Sequence, residues 1–282
     1  MFNKKKEKNK IGLALSGGSA LGIAHIGVVD ALQKNNITID CVSGTSAGSI
    51  VASGLAFGVP LDVMVKISHD LSWANLSRFG YSKLGLNSNK PVGALIDEMI
   101  GKGAKIEDAK IPLAIVATDI DTGEIVVLKK GSVAEAVMAS TCLPGFFVPV
   151  KIKNRRLVDG GLVENLPLST LKEMGADICV GVDLGFFRNL KKARNVVDVI
   201  TNSYSILLKP QDDLLSGKTE FLIRPHLEEF HSSDFKKANN LIDLGYQSAL
   251  EIMPKIKKRL KIKTENEQPK SFWEKICDFF HF

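Results

Sequence analysis

The sequence predicts an α/β fold with a parallel sheet, in which strands pass through tight turns into helices and reactive groups collect at the carboxyl ends of the strands. Three stretches predict it. Ile11 to Leu15 is an apolar run that enters Ser16-Gly17-Gly18-Ser19-Ala20-Leu21-Gly22 and then a helical pattern to about Lys34. Ile39 to Val42 is a second run, entering Gly44-Thr45-Ser46-Ala47-Gly48 and a small-residue helix over Ala47 to Phe57. Leu157 and Val158 end a third on Asp159-Gly160-Gly161. Successive strand-turn-helix units lie parallel, and their turns share the edge at which such sheets bind ligands.

Taken in order, the chain begins with a basic tail, residues 1–9, outside the folded region. The segment Pro60 to Met99 is helix-prone and interrupted by Gly80, Gly85 and Pro91, with Trp73, Phe79 and Tyr81 in its looser part; it can cover a site and offer apolar surface. Ile111 to Asp119 and Glu124 to Lys129 read as strands around the turn Asp121-Thr122-Gly123, and Ser132 to Ser140 as a helix halted by Leu143-Pro144-Gly145. Ile178 to Asp183 and Phe221 to Arg224 are further buried strands, with a helical stretch from Val196 to Leu208 between them. Ser233 to Leu260 is a long helix that Pro254 kinks or divides. One folded domain over residues 10–262 is expected, followed by a polar linker, 263–270, and an amphipathic helix, 271–282.

Composition narrows the function. The 282 residues are 45% apolar, enough for a sizeable core. Four scattered cysteines (Cys41, Cys142, Cys179, Cys277), with no Cys-x-x-Cys pair, read as reduced residues of a cytoplasmic protein and supply neither a disulfide framework nor a metal site. No apolar run is long enough for a signal peptide's core or a membrane span. The net charge of +6 belongs to the ends, +4 in residues 1–10 and +3 in 251–282, with −1 between. This excludes a nucleic-acid-binding domain that is basic throughout and suggests an anionic membrane surface as partner, on the inner face of the membrane. On a helix Phe272, Trp273, Ile276, Phe279 and Phe280 share one face, which fits an interfacial anchor or a terminal helix docked on its own core or on a second subunit. No oligomeric state follows.

A Gly-x-Ser-x-Gly at a strand-to-helix turn presents a nucleophile, and the helix N-terminus favours negative charge beside it. The glycine turn before it can cradle an anion. Gly17, Ser19 and Gly22 miss the central glycine of a dinucleotide fingerprint, Asp40 begins its strand instead of ending it, and no Gly-Lys-Ser/Thr follows; an oxyanion hole fits better and no cofactor is called for. For the base, His226 or His231 would satisfy the order serine, acid, histidine, whereas His25 lies too close to the glycine turn and is expected to be packed or bonded to backbone. A dyad of Ser46 and Asp159 needs fewer assumptions.

Together, Gly44 to Gly48, Gly17 to Gly22 before Ile23-Ala24-His25-Ile26-Gly27-Val28, and Asp159-Gly160-Gly161 resemble the patatin-like phospholipase family. Ala139-Ser140 with Pro144-Gly145, and Gly175-Ala176-Asp177, resemble it too, so the likeness spans residues 10–184. The resemblance implies a three-layer α/β/α fold with a helical C-terminal extension, and a serine acyl hydrolase acting on lipid esters without cofactor or catalytic histidine. It implies Ser46 as nucleophile, Asp159 as base and the amides of Gly17, Gly18 and Ser19 as oxyanion hole, with Gly22, Gly44, Gly48, Gly160 and Gly161 supporting. A lipid acyltransferase, or a non-catalytic acyl-lipid binding protein, uses the same fold. Two positions depart from the family's Gly-Gly-Gly-x-Arg/Lys-Gly loop: Ser19 replaces the third glycine, and Leu21 removes a cation, which implies weaker contact with an anionic head group.

Overall fold

A computed structural model of the chain describes residues 9–185, 190, 192–194, 196, 198–206 and 219–262. The N-terminal tail up to residue 8, the linker and the C-terminal amphipathic helix expected from the sequence lie outside the described residues. The strands are β1 (Ile11–Leu15), β2 (Cys41–Thr45), β3 (Arg78–Ser82), β4 (Gly85–Ser88), β5 (Leu113–Asp119), β6 (Ile125–Leu128), β7 (Gly145–Phe147), β8 (Val150–Ile152), β9 (Arg155–Asp159), β10 (Ile178–Val182) and β11 (Phe221–Ile223). The helices are α1 (Ala24–Lys34), α2 (Ala47–Phe57), α3 (Leu61–Asp70), α4 (Trp73–Leu76), α5 (Lys90–Ile100), α6 (Val133–Ser140), α7 (Leu168–Glu173), α8 (198–206) and α9 (Ala238–Leu260).

Five strands run parallel in the order β11-β10-β1-β2-β5, and β6, β9 and β8 add antiparallel pairings beyond them. The alternation of side chains along each strand sorts the layers. Leu13, Leu15, Val42, Val180 and Val182 join the core under α1, α2 and α9, while the smaller Ala14, Cys41 and Cys179 meet Leu168 and Leu171 of α7. Large residues on one face therefore carry a thick helical layer, and small ones let a single short helix approach closely. The result is a three-layer α/β/α fold with a mainly parallel central sheet. Cys41, Cys142 and Cys179 are buried and unpaired within these layers.

Several local expectations shift. The second strand extends to Thr45, because pairing of Ser43, Gly44 and Thr45 with Ala114, Ile115 and Val116 overrides their weak strand propensity. The looser part of residues 60–99 is a hairpin, β3 and β4, which joins β7 in a separate three-stranded sheet; Pro91 lies in the first turn of α5, where its missing N–H costs nothing. α9 runs through Pro254 undivided. Its packing fixes it: an added Cβ on Gly27 of α1 would sit 1.8 Å from Ile242 O, and one on Gly245 2.0 Å from Ala24 O, so the two backbones touch at paired glycines.

Candidate active site

The turn from β2 into α2 puts Ser46 at φ 49°, ψ −126°, a conformation an L-residue holds only when its surroundings impose it. Four hydrogen bonds impose it. Ser46 N–H donates to Ser140 Oγ at 2.8 Å, and Ser140 Oγ–H donates on to Val116 O at 2.6 Å. Ser46 O accepts from Ser49 N–H at 2.8 Å and from Ser49 Oγ–H at 2.6 Å. Gly48 allows the helix to press against β1, since a Cβ there would lie 2.3 Å from Leu15 O; one on Gly44 would lie 2.7 Å from Gly48 O.

Asp159 arrives from the opposite direction. Val116 of β5 lies between Thr45 and Val127, and the next residue, Ala117, between Asp159 and Val126. β2 and β9 therefore share one edge of β5 end to end, and their terminal residues meet. Ser46 Oγ–H donates to Asp159 Oδ2 at 2.6 Å, while Gly161 N–H holds Oδ1 at 2.8 Å. The main chain of Asp159 is fixed by Thr118 Oγ1–H on its carbonyl at 2.8 Å and by its own N–H on Cys142 O at 2.9 Å. A Cβ on Gly160 would sit 2.3 Å from Val116 O, so only glycine permits this close turn. Burial pushes the carboxyl up to about 6, against the pull of the Ser46 and Gly161 hydrogen bonds. It is thus ionised at neutral pH yet more basic than an ordinary aspartate.

The glycine turn faces this pair. A Cβ on Gly22 would lie 2.4 Å from Ala47 Cβ, and one on Gly17 3.0 Å from Ser46 Cβ. Gly17 N–H donates to Asn165 O at 3.2 Å, which occupies it; among the described residues Gly18 and Ser19 keep N–H groups without a hydrogen-bond partner. Ser19 sits at φ 53°, the left-handed region, so the serine adopts the backbone a glycine would take freely. Leu21 is 5% exposed and packs in the core. A cation there would enter the core and not meet a head group, so the sequence-based role for a charge at position 21 is set aside.

The sequence model of the patatin-like phospholipase family matches residues 13–172. The chain belongs to this family. A patatin-like phospholipase domain-containing protein of Caenorhabditis elegans is 34% identical over 277 residues, covering 84% of this chain and 20% of its own. An uncharacterized NTE family protein of Mycobacterium tuberculosis is 32% identical over 178 residues, 62% of this chain and 49% of its own. Lysophospholipase NTE1 of Coccidioides immitis is 27% identical and matches 92% of this chain and 19% of its own. The chain thus spans about half or less of the length of these relatives. Among solved structures, VipD from Legionella pneumophila shares the fold with a TM-score of 0.60 at 16% identity, covering 88% of this chain and 67% of its own.

In this patatin-like chain the pair and the turn form one end of an apolar chamber lined by Ile23, Ile26, Ile50, Met64, Trp73, Leu76, Phe147 and others. No described histidine lines it. His25 is fully buried behind the turn and donates Nε2–H to Ser16 O at 2.8 Å; burial lowers it to about 4, so it stays neutral. His226 is exposed and faces Glu251 at 3.6 Å, and His231 lies 3.5 Å from Asp198. The order-based alternative to Asp159 therefore has no histidine in place among the described residues. Sequence reasoning gave no role to Ser140, whose hydroxyl carries the Ser46 amide, or to Asn165. Ser140 lies within the Ala139-Ser140 motif and Asn165 follows Asp159-Gly160-Gly161 by a few residues, but only the tertiary structure brings them to Ser46 and Gly17. Three buried polar atoms on the chamber wall, Ser19 Oγ, Trp73 Nε1 and Asn165 Nδ2, have no hydrogen-bond partner among the described residues.

Proposed function

We propose that the chain is a serine lipid acyl hydrolase of the phospholipase or lysophospholipase type, working through an acyl-enzyme on Ser46. The observation that carries this is the 2.6 Å hydrogen bond from Ser46 Oγ to a buried Asp159 at the base of an apolar chamber. Asp159 accepts the Ser46 proton as Oγ attacks the ester carbonyl, and the N–H groups of Gly18 and Ser19, with the N-terminus of α2, receive the oxyanion. The carbonyl re-forms, the lysolipid or alcohol leaves with the proton from Asp159, and water activated by the same carboxylate releases the fatty acid. Gly161 prevents the carboxylate from rotating away between these steps. The apolar walls suit an acyl chain, and the unpaired Ser19, Trp73 and Asn165 groups suit the polar part of a lipid ester.

The test is the intact mass of the protein after incubation with a fluorophosphonate. A single adduct on the native chain, absent from Ser46→Ala and slowed in Asp159→Asn, is expected. A folded native chain that takes no adduct contradicts the proposal and favours a non-catalytic lipid-binding protein.

A further inference from the structure

We propose that the β3-β4 hairpin and the outer face of α8 form one surface that docks on an anionic lipid bilayer and opens the chamber toward it. This rests on the lipid-ester reading for its purpose, but its observations are separate. Helix α8 is inverted for a protein in water. Asp198, Thr201 and Ser205 face inward and are at most 5% exposed, whereas Val199 and Ile206 are 55% and 63% exposed. The buried Asp198 lies 3.5 Å from His231, and the outward side carries Val199 and Ile206 beside exposed Ser203, an apolar surface that suits a medium other than water.

The hairpin repeats the pattern. Phe79 is 85% exposed, and Leu84 and Leu86 are 50% and 54%. Residues 78–90 carry Arg78, Lys83 and Lys90, all exposed, and no aspartate or glutamate. None of the three makes an ion pair among the described residues. Phe79 pairs with Asn87, so it and Leu86 project from opposite faces of the hairpin; a hairpin with apolar side chains on both faces and cations along it matches the boundary between acyl chains and anionic head groups. A protein partner with an acidic rim could match the charges. The lipid surface is favoured because both elements adjoin the chamber wall: β4 pairs Asn87 with the lining residue Phe147, and α8 contributes Thr201 and Tyr204.

Strand β7 joins them. β4 pairs with β7 through Gly85 and Gly145, and a Cβ on Gly145 would lie 4.0 Å from Ile200 of α8. Trp73 and Leu76, just before the hairpin, line the chamber, as do Phe147 of β7 and Thr201 and Tyr204 on the inner side of α8.

The experiment is cosedimentation of the full chain, carried as Ser46→Ala so that hydrolysis plays no part, with vesicles of phosphatidylcholine alone or mixed with phosphatidylglycerol. The parent is expected to bind the mixed vesicles more tightly. Combining Phe79→Ser, Leu84→Ser and Leu86→Ser should weaken binding at least tenfold, since withdrawing one such side chain from an apolar phase costs roughly a factor of ten. Lys83→Glu should weaken binding severalfold on the mixed vesicles only. With Ser46 restored, the triple variant should hydrolyse a soluble short-chain ester within about twofold of the native rate, which separates docking from folding and from chemistry. Absence of binding by the parent, or equal binding by the triple variant, overturns the proposal. So does loss of binding only when residues 271–282 are deleted, or a dimer that the triple variant converts to monomer.

Discussion

Two turns leave neighbouring strands of one sheet, each puts a serine at positive φ, and they are braced in opposite ways. At Ser46 the N–H, the carbonyl and the hydroxyl all have partners within the protein. At Ser19, at φ 53° against 49°, the N–H and the hydroxyl have none among the described residues. The difference matches the roles proposed for the two turns. A nucleophile must be held in one strained geometry before substrate arrives, so its polar atoms are consumed by the scaffold. An oxyanion donor must keep its N–H available, so the turn is held at its flanks instead, by Gly17 on Asn165 O, Ala20 on Ser232 O and His25 on Ser16 O.

Substitutions can break each side of this contrast, beginning with the braced serine. Ser46→Ala should lower kcat by about 10⁶ and Asp159→Asn by about 10⁴, both measured on a soluble ester with the fold checked by circular dichroism. On the open side, Ser19→Pro removes a donor N–H and cannot adopt φ 53°; a loss of about 10²–10³ in kcat with KM less affected is expected. Retention of full activity would place the oxyanion elsewhere.

The pH dependence separates the proposed catalytic role of Asp159 from its effect on stability. Activity should fall as pH drops through about 6, where the buried carboxyl takes up its proton, and the fall should follow a single ionisation. Stability runs the other way. The carboxyl binds a proton more readily in the folded chain, at about 6, than at its ordinary 3.8, so stability is greatest below the lower value and is lost as pH rises through the higher. Asp159→Asn removes this dependence. Its urea midpoint should exceed that of the native chain at pH 8, by the equivalent of up to about 3 kcal/mol, and converge with it near pH 4. An inactive variant that is more stable only at high pH is a result that simple damage to the site would not give.

Smaller effects sharpen the comparison. Ser140→Ala leaves the Ser46 amide and Val116 O without their bridging hydroxyl; about 1–3 kcal/mol of stability should go, and kcat should fall by up to about 10² as the turn relaxes. Ser19→Gly relieves a left-handed serine while preserving the N–H, so a gain of about 1 kcal/mol in thermal unfolding is expected with activity nearly unchanged. A large loss there would mean that the Ser19 hydroxyl, not only its amide, meets the substrate.

The sequence by itself determined the parallel-sheet class, the two strand-turn-helix units, and the residue types Ser46 and Asp159, because these depend on local features: apolar runs, glycines beside a nucleophile, an acid on a turn. The two residues are 113 positions apart, and sequence reasoning paired them only as the dyad needing fewest assumptions and through the family resemblance. Tertiary structure decided that they meet, by placing β2 and β9 end to end along β5, so that Thr45 and Asp159 pair with adjacent residues. It also decided which amides are free, because Gly17 is taken by Asn165, and which way Leu21 points. It turned the loose stretch around Phe79 into a hairpin whose second strand also pairs with β7, some sixty residues onward. Periodicity reports which face of an element is apolar; what that face meets is fixed by contacts between residues far apart in the chain, and no local pattern encodes them.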